Sequence, residues 1–186
     1  MYAQNTQNTY GWVAQLIHWS MAIAIVGLFA LGLWMTSLTY YDEWYTRGPY
    51  IHEGVGIFIA ALLVFRLIWR ALNSKPNDDH LRPVERLGAL MAHWSMYALM
   101  AVVMVSGYLI STSDGRSIDV FGWFSVPAVY ASKGFEAIAG DLHYYLSFVL
   151  IGIAVIHTTA ALKHHVIDKD PTLERMLPFP PKKDQN

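Results

Sequence analysis

The sequence contains no cysteine. That absence excludes a disulfide framework, thiolate metal sites and covalent attachment of a prosthetic group through a Cys-x-x-Cys-His segment. Any bound group is therefore held non-covalently. Charge is also scarce, and it is missing in blocks. Met1 to Tyr41 contains no Asp, Glu, Lys or Arg, and neither do Leu87 to Ser113 or Leu142 to Leu162. A shorter block, Gly54 to Phe65, is bounded by Glu53 and Arg66. The mean hydropathy of +0.30 averages these blocks with polar linkers and so hides them. The formal net charge of −1 offers no basic footprint for nucleic acid. The residues up to Trp12 lack the basic start of a secretory leader, and the apolar run after them is too long for one, so no signal peptide is expected.

A helix at the surface of a soluble protein keeps one charged face wet. The uncharged blocks have no such face, so they belong in lipid or in a bundle surrounded by it. A span needs about 20 apolar residues. The sequence therefore predicts helices over 13–38, 50–72, 87–112 and 141–163, within a single membrane domain covering 1–186 and ending in a solvated tail, 164–186. The expected fold is all-α, an integral membrane four-helix bundle. Asn73-Ser74-Lys75-Pro76-Asn77-Asp78-Asp79 and Ser113-Asp114-Gly115-Arg116 have loop chemistry, as does the tail with Pro171, Pro178, Pro180 and Pro181. The tryptophans and tyrosines near the helix ends read as aromatic belts at the two interfaces.

Four spans put both termini on one side. Arg66, Arg70, Lys75, Arg82, Arg86, Lys163, Lys169, Arg175, Lys182 and Lys183 fall on that side, ten of the thirteen basic residues. Only Arg47, Arg116 and Lys133 fall on the other. The positive-inside rule then predicts cytoplasmic termini in a bacterial inner membrane.

Eight histidines remain to be explained. Ionisable groups inside a bilayer point to function when a partner can be named. His18, His52, His93, His143 and His157 fall within predicted spans, His80 in a loop, and His164 and His165 at the end of the last helix. His143 and His157 lie fourteen residues apart, about 21 Å along a helix axis and on nearly the same face. One helix thus offers a ligand near each membrane surface, a spacing suited to two stacked haems. By depth His18 is level with His157, and His52 with His143. His93 lies at the same depth as His18, and periodicity does not choose between them. Arg66 and Arg70 suit either haem propionates or phospholipid headgroups.

Several motifs resemble the bacterial cytochrome b561 family over nearly the full length. They are Ile17-His18-Trp19, His52-Glu53-x-x-Gly56, Arg66-Leu67-x-x-Arg70, Gly140-Asp141-Leu142-His143, Ile156-His157 through His164-His165, and Lys169-Asp170-x-Thr172-Leu173-x-Arg175-Met176. Ala30 to Met35 and Ser106 to Ser111 look less like the superoxide oxidase branch than like another branch of the family. The resemblance implies two b haems with iron ligated by His18, His52, His143 and His157. It places His93 and His164 at non-ligand positions near a quinone, with Arg82 or Arg86 as further contacts.

Iron with two imidazole ligands has no open position, so such haems transfer electrons. The expected function is electron transfer between the quinone pool, with ubiquinone as the substrate, and a periplasmic redox protein. His93 and His164 would relay protons. Two alternatives stand beside it: a superoxide:ubiquinone oxidoreductase, and a haem-bearing anchor of a larger oxidoreductase complex. A superoxide oxidase would gain from a positive funnel. The outer loops instead carry Asp42, Glu43, Asp114, Asp119, Glu136 and Asp141, which favours a different electron donor.

Overall fold

The computed structural model describes residues 2–131 and 134–177. Lys133, Pro178, Pro180, Pro181, Lys182 and Lys183 lie outside the described residues. Four helices form the bundle: α1 (Trp12–Met35), α2 (Trp44–Leu72), α3 (Pro83–Thr112) and α4 (Phe135–Lys163). All four are long and apolar enough to cross a membrane. The chain is a multi-pass membrane protein, with both ends of the described chain at one end of the bundle. α1 packs chiefly on α2, and α3 on α4.

Three helices begin earlier than their apolar runs, and in α3 and α4 a carboxylate near the start bonds the backbone there. In α2 the helix runs through Gly48 and Pro49, a pair that reads as a turn in sequence. Gly48 allows close approach of α1, since a Cβ there would lie 3.0 Å from Met35 Cγ. α3 starts with Pro83, and the Glu85 carboxylate accepts the Arg82 backbone N–H at 3.1 Å. α4 starts after Gly134, whose φ of 92° suits glycine and whose N–H is accepted by Glu136 at 2.7 Å. α1 ends three residues short of expectation, in a turn where Asp42 accepts from both the N–H and the hydroxyl of Thr39.

The core is small and central. Ile17 and Met21 of α1, Ile59 and Leu63 of α2, Tyr97 and Met100 of α3 and Leu150 of α4 are buried together. In lipid the outward faces stay apolar, so large exposed side chains such as Ile23, Val64 and Val155 are expected there.

Both ends carry structure that hydropathy does not announce. Between α3 and α4 an antiparallel hairpin pairs β1 (Ile118–Val120) with β2 (Phe124–Val126). At the opposite end three segments are tied together. The Arg175 carbonyl accepts from Tyr10 N–H, Thr9 Oγ1 and Gln15 Nε2, and the Met176 carbonyl accepts from Trp19 Nε1 at 2.8 Å. The Arg175 guanidinium donates to the Asn77 carbonyl, which brings in the α2–α3 loop.

Candidate functional site

Five histidines gather into two clusters, one toward each end of the bundle. His52 follows the first residue of α2 by eight positions, and His143 follows that of α4 by eight. Their ring centroids are 6.0 Å apart, with planes at 70°. His18 follows the start of α1 by six positions, and His157 precedes the end of α4 by six. These rings are 6.4 Å apart at 73°. His93 of α3 joins the second cluster, 5.1 Å from His157.

The hairpin-end pair lies on a cavity of about 700 Å³, walled by Phe29, Met104, Tyr108 and Phe148 among others. Glycine backbone forms part of that wall. A Cβ on Gly56 or Gly140 would meet nothing within 4 Å, so open space begins at the bare backbone. Elsewhere glycine admits the imidazoles. A Cβ on Gly107 would stand 2.9 Å from His143 Cε1, and one on Gly32 would stand 3.3 Å from His52 Cε1. His143 Nδ1 lies 2.8 Å from the Val103 carbonyl, so it carries the proton and leaves Nε2 as a free lone pair. His52 Nδ1 is buried without a hydrogen-bond partner. Beside it, Glu53 accepts a hydrogen bond from Ser111 at 2.9 Å.

At the other end Arg66 turns inward. Its Nε donates to Tyr97 Oη at 3.1 Å, and Nη2 lies 3.0 Å from His18 Nδ1. Arg70 stands over the rings of Trp94 and Tyr97 at 5.9 and 5.6 Å. His164 opens a π-helical turn, His164–Asp168, and its Nδ1 meets Asp168 at 3.0 Å and Asp170 at 2.7 Å. Burial pushes the Asp170 carboxyl up, but hydrogen bonds from Thr172 and His164 outweigh it and hold the group below the usual range. Arg82 pairs with Glu85 at 2.6 Å, and Arg86 with Asp78 and Asp79. Both arginines are spent on loop contacts rather than on the histidine cluster. His80 lies 3.2 Å from Thr172 Oγ1, away from both clusters.

Comparison with known proteins matches residues 9–179 to the family model described as prokaryotic cytochrome b561. Cytochrome b561 homolog 2 of Escherichia coli is 46% identical over 175 residues, covering 93% of each chain. Cytochrome b561 homolog 1 of the same organism is 28% identical over 68% of this chain and 73% of its own. The probable superoxide oxidase CybB of Yersinia pestis is 28% identical over 87% of this chain and 92% of its own. The chain belongs to the prokaryotic cytochrome b561 family.

Membership in the cytochrome b561 family implies b-type haem and electron transfer in a membrane. The residues present fit that group. Two imidazoles on opposite sides of one metal, each bonded at about 2 Å, bring their ring centroids to about 6 Å. The spacings of 6.0 and 6.4 Å meet that condition, and the 5.1 Å of His93 falls short of it. A cavity lined by bare glycine backbone beside the hairpin-end pair leaves room for a flat macrocycle.

Sequence reasoning missed Gly32, Gly107, the Val103 carbonyl and Tyr97 as parts of these clusters. Gly32 and Gly107 lie inside stretches that carry the family resemblance, so their positions were visible. Their role was not, because nothing in a single sequence says which helix faces which.

Proposed function

We propose that this cytochrome b561 carries electrons across the membrane through two b haems. One would be held by His52 and His143, and the other by His18 and His157. The observation that carries the reading is the pair of imidazole spacings near 6 Å at opposite ends of α4. Iron held by two imidazoles in this way would supply electron transfer without binding substrate. The protein's own part is to orient the rings. The Val103 carbonyl fixes the tautomer of His143, whereas Arg66 faces His18 Nδ1. An arginine can only donate. If His18 held haem iron with its proton on Nδ1, Arg66 could no longer donate to that atom and would be available to an anion such as a haem propionate. Arg70, one turn on, supports the same role.

Quinone would exchange electrons at the end of the bundle where the described chain begins and ends, and the imidazoles of His93 and His164 would carry its protons. The excess of basic residues supports a cytoplasmic position for that end, which would leave the hairpin end to a periplasmic redox protein. Solubilised protein is expected to give two b haems per chain in a pyridine haemochrome assay; a ratio of one would refute the two-site scheme.

The likeness to a probable superoxide oxidase supports a second reading, superoxide:ubiquinone oxidoreductase. Electrostatics oppose it. Among the described residues the basic groups at the hairpin end are Arg47 and Arg116, and each is paired with a carboxylate: Glu43 at 2.7 Å and Asp114 at 2.5 Å. An approaching anion therefore meets little unneutralised positive charge there. Stopped-flow mixing of the oxidised protein with superoxide should reduce its haem no faster than a generic haem protein. Near-diffusional reduction would establish the oxidase reading instead.

A further inference from the structure

We infer that the β1–β2 hairpin is re-entrant: its aromatic tip lies in the acyl-chain region of the leaflet on the side away from the termini, not in the water above it. The hairpin descends along the outer face of α2. Asp119 accepts from Tyr50 Oη at 3.0 Å, the Phe121 ring covers Gly54, and Phe58 meets Phe121, Trp123 and Phe124 with centroids 5.9–6.3 Å apart. From Tyr50 to Phe58 is eight residues, about 12 Å toward the middle of the membrane.

Lengths decide how deep that contact lies. α2 has 29 residues, which makes it about 43 Å long against a hydrocarbon core of about 30 Å. Its excess is therefore about 13 Å. Phe58 follows the first residue of α2 by fourteen positions, about 21 Å along the axis. Even if the whole excess projects from this end, Phe58 sits about 8 Å inside the hydrocarbon. The rings packed on it share that depth.

The tip is built for such a place. From Val120 to Tyr130 there is no charged residue. Trp123 is 76% exposed and Phe124 47%, and both rings pack on the exposed Phe58 of α2. Non-helical backbone tolerates lipid only when its polar groups are satisfied. Trp123 N–H donates to the Val120 carbonyl at 3.0 Å, and Gly122 N–H to Asp119 at 2.9 Å. Ile118 and Val120 are 3% and 0% exposed, buried toward the bundle. Phe121 holds a φ of 56°, a left-handed conformation that a residue with a side chain seldom adopts. Its ring lies on Gly54, where a Cβ would come within 2.7 Å, and this contact holds the turn.

The absence of cysteine makes the test clean, because Trp123→Cys supplies the sole thiol. The full haem-loaded chain, spin-labelled there, would be reconstituted into phosphatidylcholine–phosphatidylglycerol vesicles, with an unchanged haem spectrum confirming the fold. Collision with oxygen and with a water-soluble nickel chelate is then compared with labels at Val64→Cys, in the lipid-facing helix, and Asp114→Cys, in the loop. The oxygen-to-nickel ratio at 123 is expected to exceed that at 114 several-fold and to approach that at 64. A ratio at 123 equal to that at 114 would put the tip in water, open to a peripheral protein, and overturn the inference.

Discussion

Replacing His157 with alanine is expected to halve the haem content, leaving one b haem per chain. His157 is the member of its cluster that meets both other rings, His18 at 6.4 Å and His93 at 5.1 Å. Its loss therefore removes that site whichever ring stands opposite. The two partners are then separable. His18→Ala should lose the same haem as His157→Ala, because a 6.4 Å spacing accommodates a metal between the rings. His93→Ala should keep both haems, since two metal–nitrogen bonds of about 2 Å do not fit within its shorter spacing. Haemochrome content and redox difference spectra of the three variants decide the matter. Loss of haem in His93→Ala together with full content in His18→Ala would reverse the assignment.

A comparably large effect is expected at a residue with no donor atoms in its side chain. Gly107→Val should weaken haem binding at the hairpin end about 10–100-fold, the usual cost of removing a group that orients a metal ligand. A Cβ at 107 would stand 2.9 Å from His143 Cε1 and 3.1 Å from Nδ1, so the imidazole must shift. Shifting breaks the 2.8 Å bond to the Val103 carbonyl that fixes its tautomer. Haem titration of the apoprotein, followed by the spectrum of each site, should show the loss at the site that His143→Ala also removes. Gly27→Val is the control: a Cβ there meets nothing within 4 Å, and Gly27 is not part of the cavity wall. Equal haem affinity in both variants would show that Gly107 does not position His143.

The membrane bundle was legible because lipid imposes a single crude demand, long runs without charge. The same demand explains what was missed. The first turns of α2, α3 and α4 lie outside those runs: α2 continues through Pro49, and the bonds that Glu85 and Glu136 accept at the starts of α3 and α4 are ones hydropathy does not register. The hairpin was hidden in a loop whose turn rests on Phe121 in a conformation seldom held by a bulky residue.

The histidines divide in the same manner. Rise per residue and topology suffice to place His18 level with His157 and His52 level with His143. Choosing between His18 and His93 needs lateral distances, which depend on how four helices rotate against one another. Arg82 and Arg86 illustrate the converse. Their charge is evident in the sequence, but the carboxylates that occupy them, Glu85, Asp78 and Asp79, can be assigned only once the loop is folded.

The placement of His143 and His157 on one continuous helix has an electrical consequence. About 21 Å of rise separates them, in a hydrocarbon layer about 30 Å thick. An electron passing between the two sites would cross about two-thirds of the membrane dielectric. At about 2.3 kcal/mol per charge per 100 mV, a 100 mV membrane potential would bias that single step by about 1.6 kcal/mol. The rigid rise of α4 thus makes the partition of electrons between its two ends a function of voltage as well as of redox potential.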